Sequence, residues 1–388
     1  MRARVALVVV AVLASVACVS SREDRVERRA VKVLPAAAPL EPPAIRILFF
    51  GDFGAVTPQQ GAVARAMLAE NAAAPFDLAI HVGDNLYACG PDPRVRNAAS
   101  CAFEADGNTV RPGQDIGADG RFARSFERRL EGLSRGGEPV PVYLAIGNHD
   151  VRVDGPCRRE LRGPPATEQR VKACLEVQHQ GPHWRMPGRH YVVERGPARL
   201  IVIDTLLLAG DYGGFRWEDE LDFVRRASAG CGGERHCFVV GHYYADVAGD
   251  PRNRAAMVRQ PEYVRRVRQL EDAMGDRISG WLAGHAHDLQ HLRTARGHDE
   301  FIAASTSSTH PKPFAGPFAG GRSLYWSQRW GFGVLEVNAA GWEMRLVGRD
   351  RRSLYCCRAV GRGHCEPYAC NPVTATPGPV RARRAPRA

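Results

Sequence analysis

This 388-residue chain has no apolar run long enough to cross a bilayer as a helix, no internal repeat and no concentrated basic face. The longest apolar run, residues 5–16, falls well short of the roughly 20 residues a spanning helix needs. Without a repeat, the chain cannot be a stacked-repeat array. The net charge of +11 is misleading as a sign of nucleic-acid binding. Arg2 and Arg4 sit at the extreme N-terminus, and Arg381, Arg383, Arg384 and Arg387 lie in a tail without acids. The modest excess that remains suits a small anionic substrate and a solvated surface. What is present, 44% apolar and 24% charged residues, is the balance of a globular protein of one large or two ordinary domains.

The N-terminus reads as an export signal over residues 1–17: two arginines, a short apolar core, then Ala17-Cys18. Residues 15–18 resemble a bacterial lipoprotein cleavage box, with Ser15 where an aliphatic residue is usual. The expectation is a periplasmic or cell-surface protein that touches the membrane only through a lipid on Cys18; ordinary signal cleavage nearby is the alternative. Residues 18–44, polar and then Ala/Pro-rich, read as a flexible tether. Eleven cysteines support export: without Cys18, ten remain, enough for five disulfides. Neighbours along the chain suggest Cys89–Cys101, Cys157–Cys174 and Cys231–Cys237. Cys356, Cys357, Cys365 and Cys370 form a C-terminal cluster (356–370) of open connectivity. A zinc site that includes His364 is the rival there, and export favours disulfides.

Between these ends, strand and helix patterns alternate, which implies a layered α/β body. Residues 60–74 read as a helix. Phe122, Phe126, Leu130 and Leu133 share one helix face, as do Trp217, Leu221 and Val224, and Pro261 opens a further helix. Residues 332–337 and 342–347 alternate like a hairpin. Two Cys-bearing stretches, 88–118 and 151–180, read as surface insertions, and 371–388 as a disordered tail.

Five short apolar runs end at glycine followed by a potential metal ligand: Gly51-Asp52, Gly83-Asp84, Gly147-Asn148-His149-Asp150, Gly241-His242 and Gly284-His285-Ala286-His287. Alone, a Gly-Asp step is usually a turn. Together the five deliver Asp52, Asp84, Asn148, His242, His285 and His287 from strand ends to one sheet edge. That is too many ligands for one tetrahedral ion and suits two octahedral ions sharing a carboxylate, a device for phosphate-ester hydrolysis. The Ser/Thr run 305–309 lacks the base and orienter of a nucleophilic serine.

In this order, the motifs resemble those of the calcineurin-like metallophosphoesterases, and among them the purple acid phosphatases, over roughly residues 45–355. Tyr87, three residues after Asp84, carries the narrower resemblance, and His183 to Tyr191 resembles a Trp-x-x-Pro stretch of the small, animal-type members. The resemblance implies a four-layer α/β/β/α sandwich of two mixed sheets flanked by helices. It implies Fe(III) held by Asp52, Tyr87 and His287, a divalent Fe, Zn or Mn held by Asn148, His242 and His285, and Asp84 bridging. It also implies hydrolysis of small phosphate monoesters by a metal-bound hydroxide, with His149 at the substrate phosphate or leaving group and Asp150 orienting His149. A phosphodiesterase or nucleotide hydrolase on the same metals is the alternative, as is a catalytically idle metal-binding lipoprotein. The chain departs from the small members in one respect. No histidine follows His242 within residues 243–250, which leaves two alternatives: leaving-group protonation by His149 alone, or a contribution from Tyr243 or Tyr244. His291 is a reserve candidate, and His81 and the other histidines, His310 among them, read as packed or surface residues.

Overall fold

The computed structural model describes residues 44–249, 254–310, 313–361 and 363–370. The expected signal segment, Cys18, nearly all of the tether and the tail lie outside the described residues. The strands are β1 (Ile45–Phe50), β2 (Leu78–His81), β3 (Ser134–Arg135), β4 (Glu138–Pro139), β5 (Val142–Leu144), β6 (Trp184–Arg185), β7 (Tyr191–Arg195), β8 (Ala198–Val202) and β9 (His236–Val240). They continue with β10 (Ile278–Ala283), β11 (Leu289–Arg293), β12 (Asp299–Ala303), β13 (Arg322–Ser327), β14 (Gly331–Asn338), β15 (Gly341–Gly348), β16 (Ser353–Val360) and β17 (Glu366–Pro367). Eight form one sheet in the order β17-β16-β15-β14-β1-β2-β5-β6, and seven form a second in the order β13-β11-β12-β10-β9-β8-β7. β3 and β4 pair separately.

Each large sheet is half parallel and half antiparallel. In the first, β1, β2, β5 and β6 run parallel, and β14 to β17 continue antiparallel from β1. In the second, β8, β9, β10 and β12 run parallel. The continuous apolar runs found in the sequence are these parallel strands, buried on both faces. Between the sheets, Phe238 and Phe301 set their ring edges against Trp342 at 5.2 and 5.8 Å. Trp342 is fully buried, so Trp342→Ala should cost about 3–5 kcal/mol. At their C-terminal edges the sheets are joined: the Gly51 amide donates to the Ala303 carbonyl at 2.8 Å.

Helices cover the outer faces. α1 (Pro58–Ala73) starts where the Thr57 hydroxyl accepts from the Gln60 amide, with Pro58 at its first turn, and it packs on β14. α3 (Trp217–Ala229) and α4 (Pro261–Met274) pack together, α3 against β8. The mixed two-sheet sandwich expected from the motifs is therefore the observed fold.

Three expectations are corrected. The pairs are Cys89–Cys157 and Cys101–Cys174, not Cys89–Cys101 and Cys157–Cys174. The two insertions pack on each other, which places cysteines distant in sequence side by side. Cys231–Cys237 forms as expected, and the terminal cluster pairs as Cys356–Cys370 and Cys357–Cys365, which uses the sulfurs a zinc site would need. The second insertion is no mere loop: it contains α2 (Pro165–Gln178), whose Lys172 and Glu176 are buried. Finally, the boundary drawn after residue 355 falls inside β16, so the Cys-rich segment completes the first sheet.

Candidate metal centre

Backbone approach explains the glycines. A Cβ on Gly147 would lie 2.0 Å from the Asp84 amide nitrogen, so the β2 and β5 turns can touch only there as glycine. The ligand candidates take up the strain. Asp52, Asp84, His285 and His287 have φ of 56, 56, 64 and 57°, and they are four of the six described non-glycine residues in the left-handed region. Such backbone costs on the order of 1–3 kcal/mol per residue and persists where the surroundings enforce it. Here it turns the side chains back over the strand ends.

The side chains form two lobes. In the first, the Tyr87 hydroxyl lies 2.6 Å from Asp84 Oδ2, 3.0 Å from Asp52 Oδ1 and 3.3 Å from His287 Nε2. Asp52, Asp84 and His287 each offer a ligand atom within 4.8 Å of the others. In the second, His242 Nε2 lies 2.9 Å from Asn148 Oδ1, 3.2 Å from His285 Nδ1 and 3.4 Å from Asp84 Oδ1. Asp84 faces both lobes, one oxygen to each. All seven residues singled out as ligands in the sequence are thus brought together.

The donor set fits cations. His242 Nδ1 lies 2.8 Å from the Val82 carbonyl, which can only accept. That tautomer leaves Nε2 an acceptor facing the oxygen of Asn148, an arrangement a cation between them relieves. Burial, then Asp52 and Asp84, push the Tyr87 phenol well above its ordinary pKa. With no cation, it stays protonated and donates to Asp84. Burial acts to raise the Asp84 carboxyl, but His242, His149 and the Tyr87 hydrogen bond outweigh it and hold the group below its usual range.

His149 stands beside the ligands, its ring 4.4 Å from that of Tyr87 and its amide donating to Asp84 Oδ1 at 2.9 Å. Its expected orienter is not Asp150. Asp150 is fully buried and accepts from the Leu86 and Gly147 amides at 3.0 and 2.7 Å, bracing the two ligand turns. The Ala88 carbonyl orients His149 instead, 2.7 Å from Nδ1. A residue pair adjacent in sequence suggested a contact that the turn geometry does not make.

Tyr243 is partly exposed and sits edge-on 4.8 Å from the His285 ring; Tyr244 is fully buried. Of the two, only Tyr243 can meet a substrate. His310, read from sequence as a packed or surface histidine, has its ring 4.5 Å from that of His287. No local motif marks it, because it arrives on the loop after β12. His291 is buried elsewhere, between Tyr355 (2.6 Å) and Asp299 (3.0 Å). His81 packs under Phe50 and Phe126 as expected. In the 305–309 run, Thr306 and Ser307 donate to the Gly51 and Asp52 carbonyls, a structural task.

Beside Asn148 and Tyr243 opens a cleft of about 610 Å³, lined also by residues 151–154, Gln169, Leu206 and residues 209–212.

A sheet sandwich whose strand ends gather Asp, Asp, Asn and three His defines a metallophosphoesterase site, and comparison agrees. The family model for calcineurin-like phosphoesterases matches residues 45–289, and the chain belongs to that family of metal-dependent phosphoester hydrolases. The family implies a dinuclear metal centre, and the Asp52/Asp84/His287 cluster is a candidate for part of it. No curated protein matches the chain by sequence. Among solved structures it is similar to GAP50, described as the anchor in the inner membrane complex of Plasmodium, at 16% identity, covering 83% of this chain and 90% of that one, with a TM-score of 0.58. It is also similar to purple acid phosphatase PPD1 from yellow lupin (Lupinus luteus) seeds, at 13% identity over 84% of this chain and 55% of that one, TM-score 0.55. A third similar structure is PhoD, at 11% identity over 88% and 74%, TM-score 0.52. At these identities the likeness is one of fold alone.

Proposed function

We propose that the protein is an exported acid phosphatase of the purple acid phosphatase type, acting on small phosphate monoesters. The observation that carries this reading is the Tyr87 hydroxyl within 3.3 Å of Asp52, Asp84 and His287. A phenol aimed at two carboxylates and an imidazole suits a highly charged cation able to displace its proton. Asp52, Tyr87 and His287 would hold Fe(III); Asn148, His242 and His285 would hold divalent Fe, Zn or Mn; Asp84 would serve both. When bound, such a pair supplies positive charge to the phosphoryl oxygens and lowers the pKa of a water molecule.

The chain's own residues do the rest. His149, with Nδ1 engaged by Ala88, presents Nε2 for the substrate phosphate or the leaving oxygen. Asp150 keeps the Leu86 and Gly147 turns in register, and so the separation of the two lobes. Tyr243 borders the cleft where the organic part of an ester would sit. For export and anchoring at Cys18, the support is the sequence of residues 1–18 and the pairing of all ten other cysteines.

The test is the visible absorption spectrum of the disulfide-intact protein beside Tyr87→Phe. A broad purple band that disappears in the variant supports the tyrosinate–iron reading. Hydrolysis of a generic phosphate ester without any such band would replace it with a Zn- or Mn-dependent phosphoesterase.

A further inference from the structure

One wall of the cleft beside Asn148 and Tyr243 comes from this chain's Cys-bearing second insertion, which supplies Val151, Arg152, Val153, Asp154 and Gln169. The opposite wall comes from Leu206 and residues 209–212. At about 610 Å³ it falls within the range of small-molecule sites and is larger than a small polyol requires.

Its charges are already matched. Arg152 Nε lies 2.6 Å from Asp154, and Asp211 accepts from Arg266 at 2.7 Å and from the Trp217 amide at 3.2 Å. With one arginine against two carboxylates in its lining, the cleft is poorly suited to a second phosphate, which disfavours a polyphosphorylated substrate. Its aromatic surface, by contrast, is rigid. Tyr212 donates to Asp204 at 2.6 Å, and Asp204 is itself gripped by the buried Arg189 at 2.6 Å. Tyr212 also meets Phe215 edge-on at 5.4 Å, so its ring is fixed before any ligand arrives. Two polar groups lining the cleft have no hydrogen-bond partner among the described residues: the Gln169 amide, with one acceptor and two donors, and the Tyr243 hydroxyl.

Resting on the phosphatase reading above, we infer that this cleft binds the leaving group of the ester and selects a planar, hydrogen-bonding one: the substrate class is a nucleoside monophosphate. Its phosphate lies toward Asn148, its base against Tyr212 and Tyr243, and the Gln169 amide reads the edge of the base. No bond is made or broken in the cleft; it acts on binding and orientation only.

The experiment compares kcat/KM of the metal-loaded, full-length enzyme for adenosine 5′-monophosphate and for glycerol phosphate. Wild type, Gln169→Ala and Tyr212→Ala are measured, and adenosine is tested as an inhibitor of glycerol phosphate hydrolysis. The expected result is a preference for the nucleotide of about tenfold or more, with each variant lowering that ratio by about tenfold, the scale of losing one stacking or edge contact. Adenosine should inhibit competitively. If Tyr212→Ala fails to fold, Gln169→Ala reads the same ratio from the partly exposed face of α2. Equal use of both esters, or a ratio unmoved by Gln169→Ala, overturns the cleft assignment and leaves the phosphatase standing. Hydrolysis of neither ester overturns both.

Discussion

His149 Nδ1 lies 2.7 Å from the carbonyl oxygen of Ala88. Because a carbonyl only accepts, Nδ1 carries a proton, and Nε2 is the nitrogen left for substrate; with the ring protonated on both nitrogens, Nε2–H can pass its proton to the leaving oxygen and leave a neutral imidazole. His149→Ala should therefore lower kcat by about 100-fold or more for alkyl phosphates, the usual scale of general acid–base assistance. The loss should be much smaller for p-nitrophenyl phosphate, whose leaving group needs no proton. Steady-state kinetics on the two substrates checks this, and equal losses would show that His149 only binds the phosphate.

The carbonyl that holds His149 is next to the Cys89–Cys157 disulfide, and Cys157 Sγ approaches it at 3.7 Å. The bridge spans 68 residues, a loop for which chain entropy gives roughly 4 kcal/mol of stabilisation. Cys89→Ser/Cys157→Ser should lower the denaturant midpoint accordingly and reduce kcat under conditions where the variant is still folded. Lys172, which donates to the Cys89 and Pro91 carbonyls, holds the same segment from α2. Unchanged kcat in the folded variant would mean that Lys172 suffices to hold it.

Asp84 faces both lobes, Oδ2 toward Tyr87 and Oδ1 toward His242. Asp84→Ala should lose both metals on dialysis, whereas His242→Ala should lose chiefly one and retain any absorbance due to Tyr87. Metal analysis with the visible spectrum distinguishes the two. Loss of a single metal from Asp84→Ala would refute a shared ligand.

Two buried groups near the centre set opposing pH limits. Burial lowers His81 from 6.5 to about 3, so its contribution to stability is present above pH 6.5 and lost as pH falls toward 3. Burial raises Glu176 from 4.5 to about 8, so its contribution is present below pH 4.5 and lost as pH rises through 8. Asp150 and Glu300, raised by burial, act in the same sense as Glu176. The metal-free protein should be most stable between pH 4.5 and 6.5. Thermal midpoints across pH should show Glu176→Gln with a flatter alkaline limb; an unchanged limb would assign the loss to the other acids.

Much of the site was legible because its chemistry is written locally. A strand short enough to be read from its apolar run, a glycine where backbones touch and a ligand in the next position are all contiguous, so Asp52, Asp84, Asn148, His242, His285 and His287 could be named together. The roles of Asp150 and Ala88 were not legible. Which acceptor His149 meets depends on how the 84–90 and 147–150 turns lie against each other, and a backbone carbonyl leaves no trace in side-chain identity.

The disulfides show the same division. Ten cysteines beyond Cys18 establish that five bridges are possible, but partner choice follows the packing of one insertion on the other, which places Cys101 beside Cys174 and Cys89 beside Cys157. His310 and the cleft are further products of tertiary structure, since the loop after β12 brings His310 to a centre whose candidate ligands follow other strands, and the cleft joins residues 151–154 and Gln169 to Leu206 and residues 209–212. The sequence by itself determined which strands form and which candidate ligand follows each, because burial and turn chemistry act over a few residues. The packing of the two sheets face to face, joined at their C-terminal edges, decided what surrounds those residues, because contacts between segments distant in sequence depend on the whole fold.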